Sequence, residues 1–393
     1  MQEKMQLFTC MREGLQIRGM QCFPDSFNEQ NRYPVMIISH GFTGDYTETL
    51  PFGKLFAELG YVAFCFSFCG GTRNHADDIV KSEGKTEHMS VLTEVADVIA
   101  VKEYAKSLPY VDASQIILMG FSQGGFVSGL AAAACQEEIK KLIMVFPALC
   151  IPDHARRGQL RGTDYDPNCV PEYIQSWDMT LGEAYHDAVV GMEPYLELSP
   201  YKGDVLIMHG LADDIVDYSY SMRARDSYQP GQCKLHLIKD FGHGCNEKQQ
   251  RELVNLSRQF LCEREEILTF QIFITREETQ TEGDLTRKDI FFTGYCESQH
   301  FQGAFVSEGC DKQEYRGNER ISIRAEYELQ GLDSDKKHCT LHVVNQWKDG
   351  EWMPEIKTDS NVLSWLNDAT LYATLEFFEG GLTVRVFSTE NII

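Results

Sequence analysis

No run among the 393 residues is apolar for the length that a membrane-spanning helix needs. Residues 1–12 are interrupted by Glu3, Lys4 and Arg12 and lack the apolar core of a secretory signal. Basic residues are scarce, 36 Lys and Arg against 59 Asp and Glu, for a formal charge of −23. That sign argues against nucleic acid or an anionic membrane as partner and suits a neutral small-molecule substrate. The thirteen cysteines contain no C-x-x-C pair and no Cys/His cluster with ligand spacing. Neither a disulfide framework nor a metal is therefore expected, no cofactor motif is seen, and the usage fits a reducing cytoplasm. Proline is sparse as well, yet six of the twelve fall within residues 147–200. A hydrophobic content of 43% and a charged content of 24% are ordinary for a globular chain, and the length allows one large and one small domain.

What is present centres on residues 115–135, QIILMGFSQGGFVSGLAAAAC. Ile116 to Met119 read as a strand buried on both faces, and the Ala-rich segment after Gly125 reads as a helix. Between them lies G-x-S-x-G, Gly120 to Gly124. A strand, this motif and a helix in succession form a nucleophile elbow, which lifts Ser122 above the sheet edge. Gly120 and Gly124 leave room for the tight turn. The N–H of Gln123, at a helix start, faces the place where an oxyanion would form. A serine of this kind needs a base, an acid that orients the base, and a second oxyanion donor.

Candidates follow along the chain. Gln6–Met11 and Leu15–Phe23 read as an opening hairpin, and Val35–Ser39 as a buried strand ending in His40-Gly41-Phe42-Thr43-Gly44. This turn offers the N–H of Phe42 as the second oxyanion donor, with His40 a structural residue of the loop. Phe52–Leu59 reads as a short helix, Tyr61–Phe68 as a strand, and Ser90–Leu108 as a packing helix in which Glu94 and Asp97 are structural. After the strand Lys141–Phe146, residues 147–200 break the rhythm. Their prolines and aromatics, among them Tyr165, Tyr173, Trp177, Tyr185 and Tyr195, suit a lid over a planar, apolar acyl group. They equally suit the small core of the lid itself. Asp204–His209 reads as a strand followed by H-G-x-x-D, which selects Asp213 as the acid, with Asp214 one residue on as its rival. The strand Lys234–Lys239 leads to Gly242-His243-Gly244, the loop position of the base. His209 and His236 lie in strand runs and are expected to be packed. Asn246–Cys262 closes this part as a helix. In this reading His243 is general base and then general acid, Asp213 holds its tautomer, and Ser122 carries the acyl group.

These residues resemble the bacterial cinnamoyl/feruloyl esterases of the α/β-hydrolase superfamily. The matching stretches are HGFTG (40–44), GFSQGG (120–125), FPA (146–148), MTLGEAYHDAV (179–189), PYLELSPY (194–201), HGLADDIV (209–216) and FGHG (241–244). The resemblance implies an α/β-hydrolase fold over residues 1–265, with a lid insertion at 147–200. It implies Ser122, Asp213 and His243 as triad, Phe42 and Gln123 as oxyanion hole, and a small aromatic ester as substrate. It also implies an acid early in the insertion that recognises a phenolic hydroxyl. Asp153 is the nearest match and His154 competes with it. Tyr173 and Trp177 join Asp153 as the expected substrate-binding residues. The sequence departs from the family at Phe68-Cys69-Gly70-Gly71-Thr72-Arg73, where relatives often carry G-H-G-x-S, and the departure falls at the pocket entrance. An acylaminoacyl-type peptidase or a general short-chain carboxylesterase would use the same triad.

Residues 266–393 differ in kind. Leu268–Thr275, Ile321–Leu329, Cys339–Asn345, Leu371–Phe378 and Leu382–Phe387 alternate apolar and polar residues between Gly-, Asp- and Asn-rich turns, the pattern of a small antiparallel β-barrel. The succession FTG, FQGAFVSEGCDKQ, RAEYEL, HVVNQW, SWLN and VRVF resembles a bacterial barrel family of unknown function. Homodimerisation, bracing of the lid and ligand binding are all roles open to such a domain, the last as an alternative seat of function.

Overall fold

The computed structural model describes residues 4–72, 81–160, 162–177, 179–261, 265–317, 319–348 and 351–388. Arg73, the last residue of the departure noted above, lies outside them. The chain divides into two compact units, Met1–Leu261 and Cys262–Ile393.

The first unit opens with β1 (Met5–Arg12), β2 (Leu15–Cys22), β3 (Tyr33–Ser39), α1 (Tyr46–Glu58) and β4 (Val62–Phe66). It continues with α2 (Val91–Lys106), β5 (Val111–Phe121), α3 (Gln123–Ala134) and β6 (Lys141–Val145). An insertion follows: α4 (Ile151–Arg156), the short pairs β7 (Gln159–Leu160) with β8 (Thr163–Asp164) and β9 (Tyr173–Ser176) with β10 (Met179–Gly182), then α5 (Glu183–Val190) and α6 (Pro194–Leu198). The unit ends with β11 (Asp204–Gly210), α7 (Ser219–Ser227), β12 (Cys233–Ile238) and α8 (Glu247–Leu261).

One sheet carries the strands in the order β1-β2-β4-β3-β5-β6-β11-β12. The pairs β1–β2 and β2–β4 are antiparallel and all the others parallel. Strand alternation feeds two separate cores. Val35, Ile37, Ile116, Leu118, Val205 and Ile207 face one of them, which holds Phe126 and Val127 of α3 and Ile174, Leu181 and Tyr185 of the insertion. Met36, Ile38, Ile117, Met119, Leu206 and Met208 face the other, beside Phe52 and Phe56 of α1 and Leu253 and Phe260 of α8. Both faces are covered, so these strands read as unbroken apolar runs. This is the α/β-hydrolase fold.

The sequence places the first helix at Phe52, after Pro51. The helix starts instead at Tyr46, capped by Asp45, whose Oδ1 accepts from Thr47 N–H at 2.7 Å, and Pro51 lies inside it. A proline costs a helix one backbone bond, and the cap and the buried Phe52 and Phe56 outweigh that here. The extra turn lies beside the site described below.

The second unit is antiparallel throughout: β13 (Glu265–Glu282), β14 (Leu285–Glu297), β15 (Phe301–Phe305), β16 (Gly309–Arg316), β17 (Glu319–Asp333), β18 (His338–Lys348), β19 (Glu351–Thr358), β20 (Leu371–Phe378) and β21 (Gly381–Ser388). Strands β15 and β16 both lie between β14 and β17, one after the other, and fill a single stave. Pairing of β13 with both β21 and β14 closes an eight-stave barrel. Strands β14, β15, β16 and β19 are additions to the five that alternation predicts. In β14 the run Ile290-Phe291-Phe292 interrupts the alternation, and β19 contains Pro354. Among the described residues β19 meets β20 at one paired position, Trp352 with Ala373, and a strand so thinly paired on one side tolerates a proline.

Candidate active site

Strand β5 ends at Phe121, and Ser122 turns the chain into α3 with φ +50° and ψ −117°. This left-handed backbone is strained for a serine, and the surroundings hold it there. Ser122 N–H donates to Val145 O at 3.0 Å, while Ser122 O accepts from Ala148 N–H at 2.9 Å. The glycines at the turn answer to close approach. A Cβ on Gly120 would lie 2.1 Å from Gly124 O, and one on Gly124 would lie 2.2 Å from His40 O. The result is a buried serine whose Oγ is 2.8 Å from Nε2 of His243.

His243 Nδ1 is in turn 2.8 Å from Oδ2 of Asp213. The carboxylate side chain is fully buried and that of His243 mostly so. Asp213 Oδ1 accepts from the N–H groups of Ile215 and Val216, both at 2.9 Å. Its Oδ2 also meets Nε2 of His209 at 3.2 Å. His209 is packed, as its strand position predicts. Its Nε2–H is shared with Val216 O at 2.9 Å, and its Nδ1 accepts from Ser221 Oγ at 2.6 Å. Burial alone would raise the Asp213 carboxyl. The hydrogen bonds from His209, His243 and Val216 outweigh burial and hold the group well below the usual carboxylate range. An ionised Asp213 fixes the His243 tautomer with hydrogen on Nδ1, which leaves Nε2 to accept the Ser122 proton. Asp214 is exposed. His236 differs from its expected packing and is exposed on β12, at the edge of the sheet.

The loop after β3 passes directly over the serine. A Cβ on Gly41 would sit 3.4 Å from Ser122 Cβ, and Gly44 N–H closes a turn onto Gly41 O at 3.1 Å. His40 braces this loop from below. Its Nε2 accepts from Phe68 N–H at 3.1 Å, so Nδ1 carries the hydrogen and donates to Gly41 O at 2.7 Å. Burial holds the His40 imidazole down, at about 4, so it is neutral at pH 7. On the other side of the serine, Gln123 opens α3. Its side chain is held at both ends: Nε2 donates to Glu94 Oε2 at 2.8 Å, and Oε1 accepts from Tyr185 Oη at 2.5 Å. Tyr185, from the insertion, and Glu94, from α2, thus fix the residue whose N–H adjoins Ser122. The sequence marks Glu94 only as a packing residue, and nothing in its spacing points to Gln123.

A cavity of about 590 Å³ opens over Ser122 and His243. Phe42, Phe52, Phe121, Phe146 and Trp177 wall it, with Thr47, Glu48 and Thr49 of α1 along one side. Trp177, at φ +49°, begins the turn between β9 and β10, and its ring lies 5.7 Å from that of Phe42. Of the three expected substrate-binding residues, Trp177 alone lines this cavity. Asp153 is engaged elsewhere: Oδ1 pairs with Arg156 at 2.9 Å and Oδ2 accepts from Tyr220 Oη at 2.9 Å. Tyr173 stands exposed on β9, on the solvent side of a hairpin whose Ile174 faces the core.

A buried serine, an imidazole and a carboxylate in hydrogen-bond succession, on loops at one end of a mostly parallel sheet, define a serine hydrolase of the α/β-hydrolase class. Within that class the chain belongs to the prolyl oligopeptidase family, whose family model matches residues 54–264. It is 24% identical over 213 residues to the human (Homo sapiens) acylamino-acid-releasing enzyme, a stretch that is 53% of this chain and 28% of that enzyme. It therefore spans less than a third of the length of that relative. Est1E from Butyrivibrio proteoclasticus, solved with ferulic acid bound, superposes with a TM-score of 0.58 at 29% identity, covering 65% of this chain and 97% of that one. DcsB, solved with a substrate analogue, gives a TM-score of 0.50 at 21% identity over 65% of this chain and 98% of its own, a likeness of fold.

Proposed function

We propose that the chain is a carboxylic ester hydrolase that cleaves hydroxycinnamate esters, of the feruloyl or caffeoyl kind, through an acyl-enzyme on Ser122. The observation that carries this reading is the cavity: an unbroken hydrogen-bonded path from Ser122 through His243 to Asp213, under a wall of five aromatic side chains. Similarity to Est1E, solved with ferulic acid, supports the aromatic acyl group.

In this mechanism His243 Nε2 takes the Ser122 proton as Oγ attacks the ester carbonyl. The N–H groups of Phe42 and Gln123 hold the oxyanion, and losing one such donor costs about 3 kcal/mol in the barrier. His243 then protonates the leaving alcohol, and the acyl group stays on Ser122. Water, deprotonated by the same imidazole, releases the acid. Asp213 remains ionised throughout and stabilises the imidazolium.

A second reading, an acylaminoacyl-type peptidase, rests on the similarity to the acylamino-acid-releasing enzyme. Both are tested by initial rates on methyl ferulate, a short-chain nitrophenyl ester and an N-acylaminoacyl anilide, with wild type and Ser122→Ala. A lead of tenfold or more in kcat/KM for methyl ferulate, roughly 1.4 kcal/mol of transition-state preference, supports the hydroxycinnamate reading. A lead for the anilide moves the assignment to the peptidase, and activity that survives in Ser122→Ala removes the serine mechanism altogether.

A further inference from the structure

The barrel has an interior of its own. A cavity of about 150 Å³ lies inside it, walled chiefly by apolar side chains that include Phe292, Ile323, Ala325 and Trp352. A space of this size holds one six-membered ring, as an engineered cavity of about 150 Å³ does when it takes up benzene. A purely apolar lining would be an ordinary gap in a core. This one contains three buried polar atoms with no partner among the described residues: Oδ1 of Asp311, Oη of Tyr327 and Oδ1 of Asn345. Tyr327 is 5% and Asn345 4% exposed.

Register explains how the three come together. Asp311 on β16 is paired with Ala325 on β17, and Ala325 with Asn345 on β18. Directly opposed residues share a face, so the three side chains form one row across the barrel wall. Strands lie about 4.8 Å apart, so Asp311 and Asn345 flank the alanine and their Cα atoms are about 10 Å from each other. The methyl group of Ala325 leaves the space between them open. Tyr327, two residues along β17, is on the same face. The other carboxylate oxygen of Asp311 is occupied, accepting from Gln313 Nε2 at 2.6 Å, and Gln313 Oε1 accepts from Tyr315 Oη at 2.6 Å. The open atoms are thus a carboxylate oxygen, an amide oxygen and a phenolic oxygen. All three accept hydrogen bonds, and one bears charge.

We propose that the barrel interior binds a small primary amine, with the ammonium over Ala325 between Asp311, Asn345 and Tyr327 and an apolar body of about one ring along Phe292 and Trp352. An ammonium has three N–H donors to match three acceptors, and it neutralises a carboxylate that would otherwise be costly to bury. Aromatic faces beside it add attraction for a cation. Arg320, exposed, is the cationic side chain among the lining residues. Desolvation pushes the half-buried Asp311 carboxyl up, while Gln313, Arg320 and Lys288 pull it down and Asp289 pushes it up, and the net direction is upward.

The test is calorimetric titration of the full chain, with Ser122 phosphonylated to block the hydrolase cavity, using benzylamine, benzyl alcohol and toluene. Benzylamine is expected to bind one to one, at least tenfold more tightly than the other two. Asp311→Asn is expected to lower its affinity at least tenfold, and Ala325→Leu to abolish binding, with unmodified ester hydrolysis within twofold of wild type in both. Circular dichroism establishes that each variant is folded. Should Ala325→Leu not fold, Asp311→Asn decides alone. Equal affinity for benzylamine and toluene, unchanged affinity in Asp311→Asn, or no binding to the folded wild type would each overturn the proposal.

Discussion

Asp213 accepts from two backbone N–H groups on one carboxylate oxygen and meets two imidazoles on the other. In the proposed mechanism an acid so fully engaged orients the base rather than exchanging protons with it. Asp213→Asn should therefore leave the fold intact and lower kcat by about four orders of magnitude, because an amide no longer fixes the His243 tautomer. Asp214→Asn should stay within twofold. Comparable losses in the two variants, measured on one nitrophenyl ester, would overturn the choice of Asp213 as the acid. His40 makes a prediction about stability. Its folded value of about 4 lies below the ordinary imidazole value of about 6.5, so the unfolded chain takes up the proton first as pH falls. Its contribution is complete above about pH 6.5 and is lost as pH drops towards 4, by something on the order of 3 kcal/mol. The melting temperature of wild type should accordingly fall more steeply between pH 7 and 4 than that of His40→Gln. Parallel curves would show that His40 charges without consequence.

At the scale of elements, the elbow was the most legible part of the chain, because strand, glycines, serine and helix are contiguous. The proposed triad residues lie far apart in sequence, yet each follows a strand: the buried apolar runs of β5 and β11 mark two of the loops that carry them, and β12, at the open edge of the sheet, precedes the third. What stayed hidden was lateral. Tyr185 reaches Gln123 across 62 positions and Glu94 reaches it across 29, and no periodicity connects helices that meet only in the fold. Asp153 shows the converse. A carboxylate placed early in the insertion reads as a substrate contact until Arg156 and Tyr220 are seen to engage it. In the barrel, strict alternation marked five strands, whereas paired apolar residues in β14 and a proline in β19 concealed others. Because α5 clamps the start of α3 through Tyr185, Tyr185→Phe should lower kcat about tenfold, roughly 1.4 kcal/mol, with KM little changed. A lower melting temperature with kcat unaffected would reduce the contact to packing.

Over the whole molecule, the charge of −23 sets a field that the reactants must cross. Esters with an anionic alcohol, such as chlorogenate, should be cleaved with lower kcat/KM than neutral methyl ferulate at low ionic strength. The gap should narrow as salt is raised to 0.1 M and beyond, where screening acts over about 10 Å. A ratio insensitive to salt would mean that local contacts, not the global field, select the alcohol. Among the described residues no helix is long and apolar enough to cross a membrane, and no group of His, Cys, Asp and Glu could hold a metal ion.

The thin seam of the barrel has a consequence in time. A closed ring of strands has no free edge, but one in which two neighbours share a single paired position among the described residues can part there while the other staves keep their partners. Trp352 stands both at that position and in the wall of the interior cavity. Amide deuteration should therefore run fastest at β19 and β20 and slowest at β13 and β17, each long and paired on both sides. If an amine occupies the interior, it should slow exchange at the seam, since Trp352 belongs to both.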